Sequence, residues 1–426
     1  MRRNKTLFLS CLLTLCSNSY AGCLHFINGH WFNGRAFPQD DFYSDSGVLT
    51  HTPCHQSLQI DLKGGYVVPP YGDAHEHNFD NLQRAQAQGN LYLQDGVFYA
   101  QGMTDVSTGA EAVKQAKRVN TPSTVDATYA HGGLTGYNGH PKEVYESIPL
   151  GFFYPATAEQ KDKVIRANSR SGLAYWEMET PAELDQLWPR ILASHPDLIK
   201  VYLVNSEEWK PASSSDTRLG LGLNPTLVPL ITTKAHAVGL KVAAHVDTAT
   251  DAAIAIRGGV DELGHLPGYG LSAKGNPATV RLPDELIQEA EQRHVKVQAT
   301  AGIDVDEHTD AADLKARQAS QIDNLTRLKK AQVPILIGSD HYGQDSVHEM
   351  DYLQSLGVWT NLELLRMACV TTPQAIFPKR KLGEFRPGYE ASFLVLSSNP
   401  LTNWQQTHNI VDRWKQGEHI VIEDRP

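Results

Sequence analysis

From about residue 67 the chain repeats one alternation, a short apolar run followed by a stretch with helical spacing. The runs are "YVVPPYGDAHEH", "GVFYAQGMTDVST", "TVDATYAHG", "DLIKVYLV", "LKVAAHVDT", "VDELGHL", "VKVQATAG" and "VPILIGSDH". Segments such as "TLVPLITTKAHAVG", "DAAIAIRGG", "PDELIQEAEQRH" and "ASQIDNLTRLKKAQ" separate several of them, and Gly239 and the pair Gly258-Gly259 supply helix stops. Parallel strands need long crossovers, usually helices, so this pattern restricts the chain to an α/β fold. Eight strands alternating with helices is the sequence form of a (β/α)8 TIM-type barrel. A doubly wound open sheet shows the same alternation. The 426 residues, 41% hydrophobic, are enough for a core of barrel size.

The flanks read differently. Residues 24–68 give short strands with turn signals at Asn33-Gly34 and Gly64-Gly65. After the helical "LELLRMACVTTPQAIF", strand character returns in "ASFLVLSS" and "IVDRWKQGEHIVI", with a hairpin turn at Lys415–Glu418. Residues 22–67 and 371–426 are thus expected to meet in a small β-sandwich beside a barrel of residues 68–370. Residues 1–21 have the layout of a signal peptide: basic "MRRNK", apolar "TLFLSCLLTLC", then "SNSYA" with cleavage after Ala21. No later apolar run is long enough for a membrane span. The expectation is a periplasmic or secreted protein.

Of 5 cysteines, Cys11 and Cys16 leave with the signal. Cys23 and Cys54 can pair in an oxidising compartment. "YAGC" also resembles a lipoprotein cleavage box, with Tyr20 where Leu is usual, and a lipid on Cys23 precludes that disulfide. Cys369 sits in the apolar "LLRMACV" and reads as a buried thiol. The formal charge of −10 comes without a basic stripe, which argues against nucleic acid and leaves a small-molecule substrate as the expected partner, with homo-oligomerisation open.

In a barrel the C-terminal strand ends face the catalytic mouth. In "PPYGDAHEHNFD", Asp73, His75 and His77 occupy alternate positions, which share one face of an extended strand. "LIKVYL" carries Lys200 inside an apolar run, "KVAAHV" ends at His245, "DELGH" at His265 and "ILIGSD" at Asp340. A buried ammonium costs several kcal/mol, so Lys200 must pair, for instance with Glu207, or lose its charge. A neutral amine reacts with CO2, and the resulting carbamate is an anionic metal ligand. Each residue alone has an ordinary explanation: His75 and His77 as surface histidines, His245 in the core, Asp340 as a helix cap. Among 18 histidines, His30, His51, His195, His294, His308 and His408 read as surface or turn residues. The joint pattern points to a metal site.

In that order and strand placement, HxH, Lys, His, His, Asp resembles the ligand set of the amidohydrolase superfamily. "HVDTATDAAIAIRGGVDELGH" is similar to the strand 5–6 unit of the branch that holds prolidase-like enzymes and imidazolonepropionases. "LGEFRPGYEASFLVLSSNPLTNW" resembles the returning C-terminal segment. "PPYGD" and Ser392 depart from the usual motifs, and neither removes a ligand. The resemblance implies two divalent ions, usually zinc: His75 and His77 on one, His245 and His265 on the other, carboxylated Lys200 bridging and Asp340 on the first. Lys200 favours this binuclear, prolidase-like side. The implied reaction is hydrolysis of an amide, in a dipeptide or N-acyl amino acid, by a metal-bridged hydroxide, with Asp340 as general base and then acid. His140, in "GLTGYNGHP", and Tyr202, two residues after Lys200, are candidate substrate contacts. An esterase, lactonase or cyclic-amide hydrolase would use the same groups. A non-catalytic relative would have lost a ligand, and none is missing.

Overall fold

The parallel strands predicted from the alternation are present in a computed structural model that describes residues 22–422 other than 55, 214, 216, 304 and 307. The predicted signal peptide lies outside the described residues. Seven strands form one parallel sheet in the order Tyr175–Glu177, Gly133–Thr135, Leu198–Tyr202, Lys241–His245, Glu262–Leu263, Lys296–Gln298 and Ile335–Leu336. Tyr71–Glu76, Val97–Gly102 and Asp126–Tyr129 form a second parallel sheet. The two sheets meet at both flanks. On one side the Ala74 amide donates to the Ile337 carbonyl at 2.8 Å, and the Asp340 amide donates to the His75 carbonyl at 2.7 Å. On the other, the Asp197 amide donates to the Tyr129 carbonyl at 2.8 Å.

Tyr71–Glu76, Val97–Gly102 and Leu198–Tyr202 are buried along their whole length, as parallel strands covered on both faces must be. The helices between them start where the sequence supplies caps. Thr180 with Glu183 caps Pro181–Ala193, and Thr248 with Asp251 caps Ala249–Arg257, each as a reciprocal capping box. Gly239 and Gly259 take the left-handed backbone that ends a helix. Two strands carry no sequence signal. Gly133–Thr135 ("GLT") and Tyr175–Glu177 ("YWE") are three residues each, too short to show a period. The expected helix over "LELLRMACVTTPQAIF" is divided into Asn361–Arg366, a π-helical turn Met367–Thr371 and Thr372–Ile376. The wide turn lies just before Pro373, which has no amide to donate back along the helix.

The chain ends do meet, and their strands are joined in one continuous eight-stranded sheet. The reason is Tyr66–Val68, which pairs in parallel with Leu24–Trp31 on one side and antiparallel with Phe393–Leu396 on the other. This sheet covers its own core of Phe26, Trp31, Phe42, Val67, Phe393 and Trp414. Lys415–Glu418 form the predicted hairpin, with Gln416 and Gly417 at φ 53° and 75°. Cys23 is disulfide-bonded to Cys54, and Cys369 is a buried free thiol. Among the described residues, no helix is long and apolar enough to cross a membrane.

Candidate active site

At the C-terminal ends of the parallel strands lies a cavity of about 270 Å³, lined by His75, His77, His140, Lys200, Tyr202, His245, His265 and Asp340. Every residue singled out for the site from the family resemblance is in that lining. His77 Nε2 lies 3.0 Å and His75 Nε2 3.4 Å from Asp340 Oδ1, and His265 Nδ1 is 3.6 Å from Asp340 Oδ2. His75, His77 and Asp340 offer ligand atoms within 4.8 Å of one another. The His265 ring is 4.8 Å from that of His75 and 4.4 Å from that of His245, which continues the row of imidazoles. His140 and Tyr202 lie beyond, with ring centroids 5.0 Å and 5.3 Å from His245.

Main-chain and hydroxyl oxygens fix the rings. His75 Nδ1 is 2.8 Å from the Gly264 carbonyl, His77 Nδ1 2.9 Å from the Thr104 carbonyl, and His265 Nδ1 2.9 Å from Thr300 Oγ1. An imidazole that donates Nδ1–H to an oxygen keeps Nε2 as a lone pair, the form that binds a cation. For His75 and His77 this leaves Nε2 aimed at the Asp340 side. His245 instead places Nε2 3.1 Å from Asp247 Oδ1, which also accepts from the Tyr269 hydroxyl at 3.0 Å.

Charge follows burial. Desolvation holds His75 and His265 well below the usual histidine value. For His77, burial also pulls down, but the hydrogen bond and charge of Asp340 outweigh it and the pKa is raised. Burial opposes ionisation of Asp340, yet His75, His77 and His265 hold its carboxyl well below the ordinary range. Burial also brings His140 down to about 3.

Lys200 is fully buried, and its Nζ has no hydrogen-bond partner among the described residues. Glu207 does not pair with it; that carboxylate accepts from Thr248 Oγ1 at 3.0 Å. Burial lowers the Lys200 amine to about 7. Its space is supplied by Gly264, where a Cβ would sit 2.6 Å from Nζ. An orphaned amine of this kind, beside four imidazoles, fits a group that becomes an anion on binding.

Asp73 does not face the cavity as its alternate spacing predicts. The pairing of its strand with Val97–Gly102 shifts register between Asp73 and Glu76, so the two-residue period breaks there. Asp73 accepts instead from the Ser339 amide at 2.9 Å, the His75 amide at 3.1 Å and the Tyr92 hydroxyl at 3.0 Å. It ties the first strand to the segment that carries Asp340. Tyr145, Tyr154, Tyr269 and Tyr342 are also part of the cavity wall, and all four come from loops or from a short helix.

Enzymes with parallel strands keep their reacting groups at this end of the sheet, and what gathers here is acid–base and ligand chemistry, so the fold and cavity are those of an α/β enzyme. The sequence profile of the amidohydrolase family matches residues 185–420, more than half of the chain. The chain belongs to that family. Among curated relatives, the ochratoxinase of Aspergillus niger is 30% identical over 112 residues, a stretch that spans 25% of this chain and 23% of that protein. The crystal structure of the same ochratoxinase matches with a TM-score of 0.69 at 16% identity, over 93% of this chain and 95% of that one. A prolidase complexed with N-methylphosphonate-L-proline gives 0.69 at 15% identity, over 94% and 99%. A Xaa-Pro dipeptidase with bound methionine in the active site gives 0.67 at 14% identity, over 93% and 99%. At such identities the likeness to the solved structures is one of fold.

Proposed function

We propose that this chain is an exported, metal-dependent amidohydrolase that cleaves an amide bond in a dipeptide or N-acyl amino acid. The observation that carries the reading is the convergence of four histidines, Asp340 and a buried Lys200 without a hydrogen-bond partner on one cavity among the described residues. The two parallel sheets, joined at both flanks, are read as one closed (β/α)8 barrel over residues 68–370. Residues 22–67 and 371–426 are read as the accompanying sheet domain. The Cys23–Cys54 disulfide supports an oxidising compartment.

His75, His77 and Asp340 would hold one divalent ion, and His245 and His265 a second, zinc in both cases. The neutral Lys200 amine would add to the carbon of CO2 and release a proton to solvent, and the carbamate so formed would offer an anionic ligand at the same site. The ions supply Lewis acidity, which makes water acidic enough to react near neutral pH and polarises the scissile carbonyl. Asp340 takes the proton of the attacking water on a carboxylate oxygen and hands it to the leaving nitrogen as the C–N bond breaks. Tyr202, whose hydroxyl is 2.6 Å from Thr104 Oγ1, and His140 line the substrate side and orient the amide.

The test is metal analysis of the purified mature protein together with hydrolysis of a dipeptide and N-acyl amino acid library. The expected result is two metal equivalents, amide cleavage, and loss of both in Lys200→Ala. Cleavage of esters or lactones alone, or one equivalent unchanged in Lys200→Ala, overturns the corresponding part of the reading.

A further inference from the structure

The helix Lys142–Ser147 contributes Val144 and Tyr145 to the cavity wall, and the segment after it places apolar side chains in water. In "IPLGFFYP" the chain turns at Gly151, φ 71°, with the Gly151 amide donating to the Ile148 carbonyl at 3.1 Å and the Phe152 amide to the Ser147 carbonyl at 2.9 Å. Glu143 accepts the Ala156 amide at 2.8 Å and ties the far end of the turn back to the helix. The turn is therefore held against the helix that lines the cavity, and its Tyr154 joins that lining. Yet it presents Ile148, Leu150, Phe153 and Tyr154 to solvent, Phe153 at 91% and Tyr154 at 56% exposure. Tyr342, on the segment after Asp340, adds a fifth exposed apolar group, and both tyrosines line the cavity itself.

Soluble proteins seldom leave large apolar side chains clustered in water unless something docks on them. Here the cluster is continuous with the reacting cavity through Tyr154 and Tyr342, which assigns it to the molecule that enters the cavity. The cavity, at about 270 Å³, is at the small end of the roughly 300–1,000 Å³ typical of small-molecule sites, so a bulky substrate reaches past its mouth. We propose that the Ile148–Tyr154 turn is an apolar subsite that receives a bulky aromatic or long aliphatic group flanking the scissile amide. The enzyme's substrate class is then an amide with one large hydrophobic arm. This rests on the amidohydrolase reading of the cavity.

The experiment compares N-acetyl-L-alanine with N-naphthoyl- and N-dodecanoyl-L-alanine on the metal-loaded enzyme. The variant is Leu150→Ser/Phe153→Ser, whose altered residues lie outside the cavity lining and are exposed in the folded chain. Binding of naphthoate and of acetate is measured on the same two proteins by calorimetry. The expected result is kcat/KM at least tenfold higher for the bulky amides, with about tenfold of that preference lost in the variant through KM, and the N-acetyl rate unchanged. Equal rates on small and bulky amides, or a preference that survives in the variant, overturns the subsite. Should no amide be cleaved, the amidohydrolase reading falls by itself; naphthoate that binds the wild type and not the variant then supports the subsite, and equal or absent binding overturns it. Concentration-dependent self-association abolished by the double substitution, without an effect on bulky ligands, also overturns it and makes the turn a contact between copies of the chain.

Discussion

His77 Nε2 and Asp340 Oδ1 are 3.0 Å apart, although 263 positions separate the two residues in the chain. The contact is held by backbone, since the Asp340 amide donates to the His75 carbonyl at 2.7 Å. Asp340 also adopts φ 47°, in the left-handed region that Asp and Asn tolerate better than other side chains. Asp340→Asn therefore keeps the backbone and removes the carboxylate that would serve both as acid–base group and as metal ligand. A loss of about 10²–10⁴ in kcat is expected, the usual contribution of general acid–base catalysis. Thermal unfolding of the variant should stay within a few degrees of the wild type, and steady-state kinetics with calorimetry checks both.

Gly264 has no left-handed requirement, and its value is space. A Cβ there would lie 2.6 Å from Lys200 Nζ and 3.1 Å from the Ala244 carbonyl. Lys200 is fully buried, so in Gly264→Ala the amine must move toward the cavity. The expected outcome is a destabilisation of about 1–3 kcal/mol, as for other overpacked sites, with a fall in bound metal. Denaturant unfolding and metal analysis of the same preparation measure the two.

The groups that reach the cavity are legible in the sequence because each belongs to a strand whose period or end can be read. His75 and His77 share a face, Lys200 breaks an apolar run, and His245, His265 and Asp340 close theirs. The supports that hold those groups are not legible. His75 and His77 lean on the carbonyls of Gly264 and Thr104, and every residue has a carbonyl. The spacing puts Asp73 on the wrong surface because a register shift leaves no trace in residue types. The tyrosines of the cavity wall come from segments with no period. At the chain ends, turn residues mark the strands but not their order. That Tyr66–Val68 pairs on both sides depends on contacts more than 300 residues apart, as Val67 with Val395.

One buried cation helps to pin the chain-terminal sheet to the parallel sheets. Lys415 is fully buried, and its Nζ donates to Asp126 Oδ1 at 2.7 Å and to the carbonyls of Thr121 and Thr124 at 2.6 Å and 2.7 Å. Arg380 approaches the second Asp126 oxygen at 2.8 Å. Removing one member of a buried pair leaves the other uncompensated and costs about 3–5 kcal/mol. Lys415→Met should lose about that much in urea unfolding. Because each single change leaves the other member of the pair buried and uncompensated, the double variant Lys415→Met/Asp126→Asn should lose less than the sum of the two single changes, which a double-mutant cycle measures.

His131 supplies an acid limit to stability that lies apart from the metal-ligand residues. Burial, then the nearby charges of Lys114 and His195, lower its pKa from 6.5 to about 3, and its Nδ1 has no partner among the described residues. The folded value lies below the unfolded one, so above pH 6.5 neither state binds the proton and no stability is lost. As pH falls from about 6.5 toward 3, the unfolded chain takes up a proton that the folded chain refuses. Stability then declines by up to about 1.4 kcal/mol per pH unit from this one group. His131 sits at φ 56°, a backbone that asparagine accepts, so His131→Asn removes the titration without imposing strain. The wild-type melting temperature should drop between about pH 6.5 and 4 more steeply than that of His131→Asn, with the two parallel above about pH 7. Parallel curves across the whole range would show that His131 is free to protonate in the folded protein.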